Sequence, residues 1–87
     1  MYYVYVIQSE RDKRYYIGYT SNLEKRLNSH NTGLQRWTRS RGPWKLVYSE
    51  YFINKRDAII RERGLKNKKS HKAIENIVHN NDDKMRG

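Results

Sequence analysis

Two short segments rich in aromatic and β-branched residues, separated by a charged turn, most constrain how this chain can fold. Residues 2–8 read Tyr-Tyr-Val-Tyr-Val-Ile-Gln, and residues 14–19 read Arg-Tyr-Tyr-Ile-Gly-Tyr. Such residues favour pleated, largely buried strands, and the charged residues at 10–13 suit the turn between them. The sequence therefore predicts an antiparallel β-hairpin. Gly18, near the end of the second strand, indicates a bulge or a close approach by another group.

The first helix is marked by a capping signal followed by an apolar stripe. Ser21 is a good N-cap, and Glu24 three residues later completes a capping box. Leu23 and Leu27 then lie on one face of the helix. Gly33 supplies the stop signal, so the helix is predicted between Ser21 and Gly33.

Strand and helix signals alternate through the rest of the chain. Residues 44–52 predict a third strand, Asn54 starts a second helix, and Ser70 begins a shorter third helix. The predicted order is ββαβαα, an α+β fold with a three-stranded antiparallel sheet flanked by helices. We expect a single domain over residues 1–79 and a flexible polar tail over residues 80–87.

Positive charge is the strongest compositional signal. The 87 residues include 19 Lys and Arg against 9 Asp and Glu, for a net charge of +10. This excess favours polyanionic partners, of which nucleic acid is the commonest, although a basic surface with no binding role remains an alternative. The basic residues concentrate in a predicted loop at 35–44 and in the second helix. The candidates for contact with phosphates are Arg36, Arg39, Arg41, Lys55, Lys66, Lys68 and Lys69.

Several classes of protein are excluded or disfavoured. The chain contains no cysteine, which excludes disulfide scaffolds, thiolate zinc sites and cysteine nucleophiles. No apolar run approaches the ~20 residues of a membrane helix, so we expect no membrane partner. The first residues lack the basic leader of a signal peptide, and we therefore expect a cytoplasmic location.

Four polar residues of the predicted hairpin and first helix are candidates for chemistry. Arg26 and His30 are i, i+4 neighbours beside the apolar stripe, so their side chains can meet at one place. The alternative is a half-buried histidine beside an arginine whose charged end reaches solvent. Tyr5 and Tyr16 lie on adjacent predicted strands and could point the same way. The alternative for them is ordinary cross-strand packing.

Glu62 is the sharpest anomaly of the second helix. It lies on one face with Ala58 and Leu65, where periodicity expects an apolar residue. Carboxylates are rarely buried unless they are paired or bound to a metal. The alternative is an ion pair within the helix, with Lys55 or Lys66.

Taken together, these segments resemble the GIY-YIG nuclease superfamily, and more closely its small stand-alone bacterial members. Any single tripeptide is weak evidence, whereas several motifs in order at compatible spacings are strong evidence. The matching segments are Tyr3-Val4-Tyr5, Tyr16-Ile17-Gly18, residues 20–27, His30-Asn31, Thr38-Arg39, Pro43, residues 46–50 and residues 58–62.

The resemblance implies cleavage of phosphodiester bonds with one divalent metal ion, Mg²⁺ or Mn²⁺. The metal-ligand glutamate of the family maps onto Glu62, its arginine onto Arg26 and its helix histidine onto His30. The two motif tyrosines map onto Tyr5 and Tyr16, either of which could act as the base. Mg²⁺ bound by one carboxylate and several waters suits this reaction.

The sequence departs from the family pattern at two places. Tyr3 stands where the first motif has a glycine, whereas Gly18 matches the glycine of the second motif. Neither Asn67 nor Asn76 matches a later asparagine that many family members use.

The function predicted from the sequence is a metal-dependent endonuclease that acts on DNA, including structured or damaged DNA. We expect a monomer. The alternative is a nucleic-acid-binding module that has lost catalysis on the same scaffold. A third hypothesis, a recruitment domain for a protein partner, rests only on the small size.

Overall fold

The computed structural model describes residues 1–33, 42–68 and 71–86, with side chains up to residue 79. The elements follow the predicted ββαβαα order, and the predicted α+β class is confirmed. In this part of the chain they are β1 (Tyr2–Ser9), β2 (Tyr15–Thr20), α1 (Leu23–Asn31), β3 (Trp44–Phe52), α2 (Lys55–Lys66) and α3 (His71–Arg86).

The three described strands form one antiparallel sheet in the order β2-β1-β3. In its central strand, Tyr5 lies directly opposite Gly18 of β2 and Ser49 of β3. The β1–β3 register shifts between Val6 and Ile7. The hairpin and the third strand are therefore confirmed as predicted.

Successive residues of a strand point to opposite sides of the sheet, and helices pack on both sides. Val4 and Val6 pack on one face with residues of α2 and α3. Tyr5, Ile7 and Trp44 form a second cluster on the other face, against leucines of α1. The hairpin tyrosine Tyr5 thus points towards the helix that carries the candidate arginine and histidine.

The start of α1 differs from the prediction. Its N-cap is Asn22, whose side chain accepts a hydrogen bond from the Lys25 amide at 3.0 Å, so the prediction of Ser21 as the cap is wrong. Thr20 Oγ1 accepts a hydrogen bond from the Asn22 amide at 3.1 Å and holds the cap in place. Gly33 follows the helix with a φ of 81°, a left-handed conformation that favours glycine.

The C-terminal end of α1 is tied to the start of β3. Asn31 Oδ1 accepts a hydrogen bond from the Trp44 amide at 2.7 Å, and its Nδ2 donates to the Trp44 carbonyl at 3.0 Å. The indole is 4% exposed, which agrees with a packing role for Trp44. These contacts fix the helix turn that carries His30.

The second helix begins where predicted, whereas the third helix, with 16 residues against 12, is longer than the second and not shorter as predicted. Asn54 is the N-cap of α2 as predicted. The third helix extends to Arg86, beyond the predicted boundary at residue 79, while Ser70, its predicted start, lies outside the described residues. The flexible tail over residues 80–87 stays a prediction.

Candidate active site

The site is built around a close contact between Tyr5 and Gly18, which are paired across β1 and β2. A Cβ atom placed on Gly18 would lie 2.7 Å from Tyr5 Cζ, and closer still to the hydroxyl oxygen. The phenol ring therefore lies across the glycine of the neighbouring strand. The close approach predicted at Gly18 is made by this ring, and any larger residue there would displace it.

Tyr5 and His30 form a buried hydrogen bond between the sheet and α1. Tyr5 Oη and His30 Nε2 are 2.9 Å apart, and the two side chains are 3% and 1% exposed. Burial and the nearby Arg26 guanidinium lower the pKa of His30 to about 4. Burial and the neighbouring Tyr16 raise the pKa of Tyr5, although Arg26 opposes this rise. At neutral pH both side chains are therefore uncharged.

Tyr16 contacts the same cluster from β2. Its ring lies 5.0 Å from the His30 ring, in an edge-on arrangement, and 6.4 Å from the Trp44 ring. Tyr5 and Tyr16 therefore do point the same way, and His30 contacts both. This packing keeps the imidazole in one orientation behind the two phenols.

A polar cleft of about 440 Å³ opens beside this cluster. Arg26 reaches it from α1, and Lys55 and Glu62 reach it from α2. The lining residues are Tyr5, Tyr16, Gly18, Tyr19, Thr20, Ser21, Arg26, Lys55 and Glu62. The structure thus brings together the candidate residues of the hairpin, the first helix and the second helix, with His30 directly behind Tyr5.

Glu62 combines both interpretations that its sequence context left open. Its side chain is 13% exposed and lines the cleft, while Oε1 lies 3.6 Å from Lys66 Nζ. The lysine side chain is half exposed, and an exposed i, i+4 pair contributes only ~0.5 kcal/mol. A cation in the cleft can therefore displace the lysine at little cost.

The donors around the cleft suit a hard cation such as Mg²⁺. They are oxygen atoms, from one carboxylate (Glu62) and from the hydroxyl groups of tyrosine, threonine and serine. Among the residues that the structure describes, no three His, Cys, Asp or Glu side chains cluster as a metal-binding group. Mg²⁺ prefers oxygen ligands and keeps several waters. The residues present therefore fit an ion held by one carboxylate and water.

The structure describes some of the candidate phosphate contacts but not all of them. Lys55 lines the cleft, Lys66 pairs with Glu62, and Lys68 is exposed just after α2. The predicted contacts Arg36, Arg39, Arg41 and Lys69 lie outside the described residues. Basic side chains therefore lie along α2 from the cleft to its C-terminal end.

Sequence reasoning missed three polar residues of the cleft, Tyr19, Thr20 and Ser21. Thr20 is 8% exposed and also supports the cap of α1. The signal was present in the run of polar residues that joins the second strand to the first helix. Such a run is typical of any strand–helix connection, so it did not indicate a site by itself.

Comparison with known proteins identifies the family. A model of the GIY-YIG catalytic domain matches residues 1–76, and the chain therefore belongs to this family of nucleases.

Within that family the chain is similar to UPF0213 proteins of bacteria. It is 51% identical over 67 residues to the UPF0213 protein CPE1444 of Clostridium perfringens, which covers 76% of this chain and 71% of that protein. It is 42% identical over 81 residues to a UPF0213 protein of Streptococcus pneumoniae, covering 92% of this chain and 81% of the relative.

A solved structure shares the fold. The solution NMR structure of the UPF0213 protein BH0048 from Bacillus halodurans superimposes with a TM-score of 0.57 at 33% identity, covering 91% of this chain and 84% of that one.

Within the described ranges, no helix is both long and apolar enough to cross a membrane.

Proposed function

We propose that this protein is a metal-dependent endonuclease that hydrolyses phosphodiester bonds of DNA, including structured or damaged DNA, as a monomer in the cytoplasm. One observation carries the proposal. Tyr5, Tyr16, Arg26 and Glu62 come from three parts of the chain and line one polar cleft. Together they supply what phosphodiester hydrolysis needs: a proton acceptor, a group that orients the water, a phosphate-binding cation and a metal-binding carboxylate.

Arg26 binds the scissile phosphate. A guanidinium stays charged at every physiological pH and presents a planar fork to two phosphate oxygens. Negative charge grows on those oxygens as water attacks phosphorus, so the contact strengthens in the transition state. Lys55, which lines the cleft from α2, adds a second positive charge near the same phosphate.

Tyr5 is the residue that accepts the proton of the attacking water. With the neutral His30 ring protonated on Nδ1, the phenol donates its hydrogen to His30 Nε2 across 2.9 Å. Tyr5 also lines the cleft, so its Oη can accept a hydrogen bond from a water there. Tyr5 can take a proton from water while it passes its own proton to His30, and the phenol stays neutral throughout.

The energetic comparison favours this relay over a free phenolate. With a pKa of about 4, protonating His30 at pH 7 costs ~4 kcal/mol. Forming a phenolate at an ordinary tyrosine pKa costs about the same, and the burial of Tyr5 raises that cost. The relay avoids the cost of a phenolate, because the phenol stays neutral throughout. Tyr16, beside both groups, orients the water.

Glu62 is the residue that would hold the metal ion. A bound Mg²⁺ or Mn²⁺ would supply the positive charge that stabilises the leaving oxygen. The Glu62 carboxylate lines the cleft, and its ion pair with Lys66 would give way to a divalent cation there.

A second candidate function is a nucleic-acid-binding module without catalysis. The 3.6 Å ion pair between Lys66 and Glu62 favours it, because a carboxylate neutralised by lysine needs no metal. Both candidates bind nucleic acid, but only the endonuclease requires a free carboxylate in the cleft.

The two candidates separate in a cleavage assay with a matched control. Labelled DNA duplexes, hairpins and nicked duplexes are incubated with the parent protein, Glu62→Gln and Asp57→Asn, with and without Mg²⁺ or Mn²⁺. Asp57 is an exposed carboxylate on the same helix, so its variant changes the charge equally without touching the cleft.

We expect metal-dependent cleavage by the parent and Asp57→Asn, and none by Glu62→Gln. DNA binding by Glu62→Gln stays equal or becomes tighter, since a negative charge near phosphate is removed. Full activity of Glu62→Gln would contradict the metal-binding role. No cleavage by the parent on any of the substrates, with binding retained, would favour the second candidate.

A further inference from the structure

We propose that Glu50 and Arg61, with Tyr48, form a positioning clamp that sets the rotation of α2 and thereby aims Glu62 into the cleft. This inference rests on the proposed function for its catalytic consequence but not for its geometry. The three residues come from β3 and α2, and none of them has a role in the mechanism above.

The clamp is a bidentate ion pair between β3 and α2. Arg61 Nε donates to Glu50 Oε1 at 2.8 Å, and Arg61 Nη2 donates to Glu50 Oε2 at 2.9 Å. The Tyr48 hydroxyl donates to the same Oε2 atom. The Glu50 and Arg61 side chains are 22% and 38% exposed, so solvent screens this pair less than a fully exposed one. Two parallel hydrogen bonds fix direction as well as distance.

The other described contacts of α2 with the sheet are less directional. Ala58 and Leu65 are buried against the valines of β1, and such apolar packing tolerates small rotations about the helix axis. The N-cap Asn54 makes no side-chain hydrogen bond to the first turn. Gly64 has open space around its Cβ position. The clamp therefore adds the rotational constraint that apolar packing lacks.

Rotation matters because Arg61 and Glu62 are consecutive. Neighbouring helix residues point about 100° apart, so an arginine fixed towards β3 directs the next side chain towards the cleft beside β2. Side-chain ends lie roughly 5–6 Å from the helix axis, and a 10° rotation moves them by about 1 Å. A displacement of about 1 Å at a catalytic group can cost roughly 100-fold in rate.

The test compares Arg61→Lys and Glu50→Gln with Arg63→Lys as the matched control. Arg61→Lys keeps the charge but removes the guanidinium fork, and Glu50→Gln turns one acceptor into a donor that faces Arg61. Arg63 lies on the same helix and is exposed. Three quantities are measured: Mn²⁺ affinity of the DNA-free protein, kcat and KM of cleavage at saturating metal, and the carboxyl ¹³C NMR resonance of Glu62. That resonance is assigned by its loss in Glu62→Gln.

In Arg61→Lys and Glu50→Gln we expect weaker Mn²⁺ binding, a fall in kcat of about tenfold or more with little change in KM, and a shifted Glu62 resonance. Arg63→Lys keeps all three at parental values. The double variant Arg61→Lys/Glu50→Gln loses little more than either single variant, because both remove the same interaction. Reversing the pair as Glu50→Arg/Arg61→Glu restores part of kcat.

A purely structural pair would behave differently. Its variants would unfold at lower temperature, yet keep the parental kcat per folded molecule and an unchanged Glu62 resonance, and this result would overturn the proposal. If the parent itself cleaves nothing, the proposed function fails separately. The Glu62 resonance then decides the positioning role: a shift in both variants supports it, and an unchanged position refutes it.

Discussion

Gly18→Ala tests whether the glycine is required by the Tyr5 ring. Its new Cβ would lie 2.7 Å from Tyr5 Cζ, whereas ordinary contacts begin at 3.4 Å. The ring must therefore move by roughly 0.7 Å at Cζ, and by more at the hydroxyl oxygen, which lies closer. Such a movement distorts the 2.9 Å Tyr5–His30 hydrogen bond away from its present geometry.

The expected cost has two parts. Overpacking in a buried site costs about 1–3 kcal/mol, and weakening a buried hydrogen bond adds about 1 kcal/mol. For a domain of this size each kcal/mol lowers Tm by about 4–8 °C. We therefore expect Gly18→Ala to unfold at least ~8 °C below the parent, with a large loss of cleavage.

Gly64→Ala is the matched control. It makes the same substitution inside α2, where nothing lies within 4 Å of the new Cβ. Alanine is preferred to glycine in a helix by about 1 kcal/mol, so this variant is expected to unfold ~4 °C above the parent. Thermal unfolding followed by circular dichroism measures both. A Gly18→Ala protein as stable as the parent would show that the Tyr5 ring does not require a glycine at this position.

Two further predictions concern the buried histidine and the basic surface. Because burial lowers the pKa of His30 from 6.5 to about 4, the unfolded chain binds the extra proton first. Stability is then lost as the pH falls from 6.5 towards 4, by about 3 kcal/mol in total. Denaturant unfolding at several pH values should show this loss in the parent and not in His30→Gln, and equal pH dependence would contradict it. Replacing Lys55 and Lys68 by glutamine should reduce the salt-dependence slope of DNA binding by about 2 if each contacts one phosphate, and an unchanged slope would remove both from the interface.

The strands were predictable from sequence because their signals are local. At the hairpin, two runs of aromatic and β-branched residues flank one charged turn. Residues 44–52 form a similar run, which ends shortly before the cap at Asn54. The cap of α1 was not predictable in this way. Ser21 and Asn22 are both good capping residues, and the hydrogen bond from the Asn22 amide to Thr20 Oγ1 selects the second. Propensity alone cannot distinguish such neighbours.

The candidate site likewise has a part that local sequence signals predict and a part that depends on contacts between elements. Arg26 and His30 could be paired from their helical spacing, and Glu62 stood out as a carboxylate on an apolar face. The contact of Glu50 with Arg61 spans two elements and eleven positions of the chain. No periodicity links a strand residue to a helix residue at that distance. The sequence likewise cannot tell which of the two tyrosines accepts the proton. The hydrogen bond between Tyr5 and His30 makes that distinction.

The role of Tyr5 as proton acceptor is tested most directly by the single-turnover cleavage rate of Tyr5→Phe at saturating metal, beside Tyr16→Phe and Tyr19→Phe. All three variants remove one hydroxyl from the same cleft and keep the ring. We expect a loss of several orders of magnitude for Tyr5→Phe with the fold intact, a milder loss for Tyr16→Phe and a small one for Tyr19→Phe. Near-parental cleavage by both Tyr5→Phe and Tyr16→Phe, with His30→Ala inactive, would make the histidine the base and contradict the role of Tyr5.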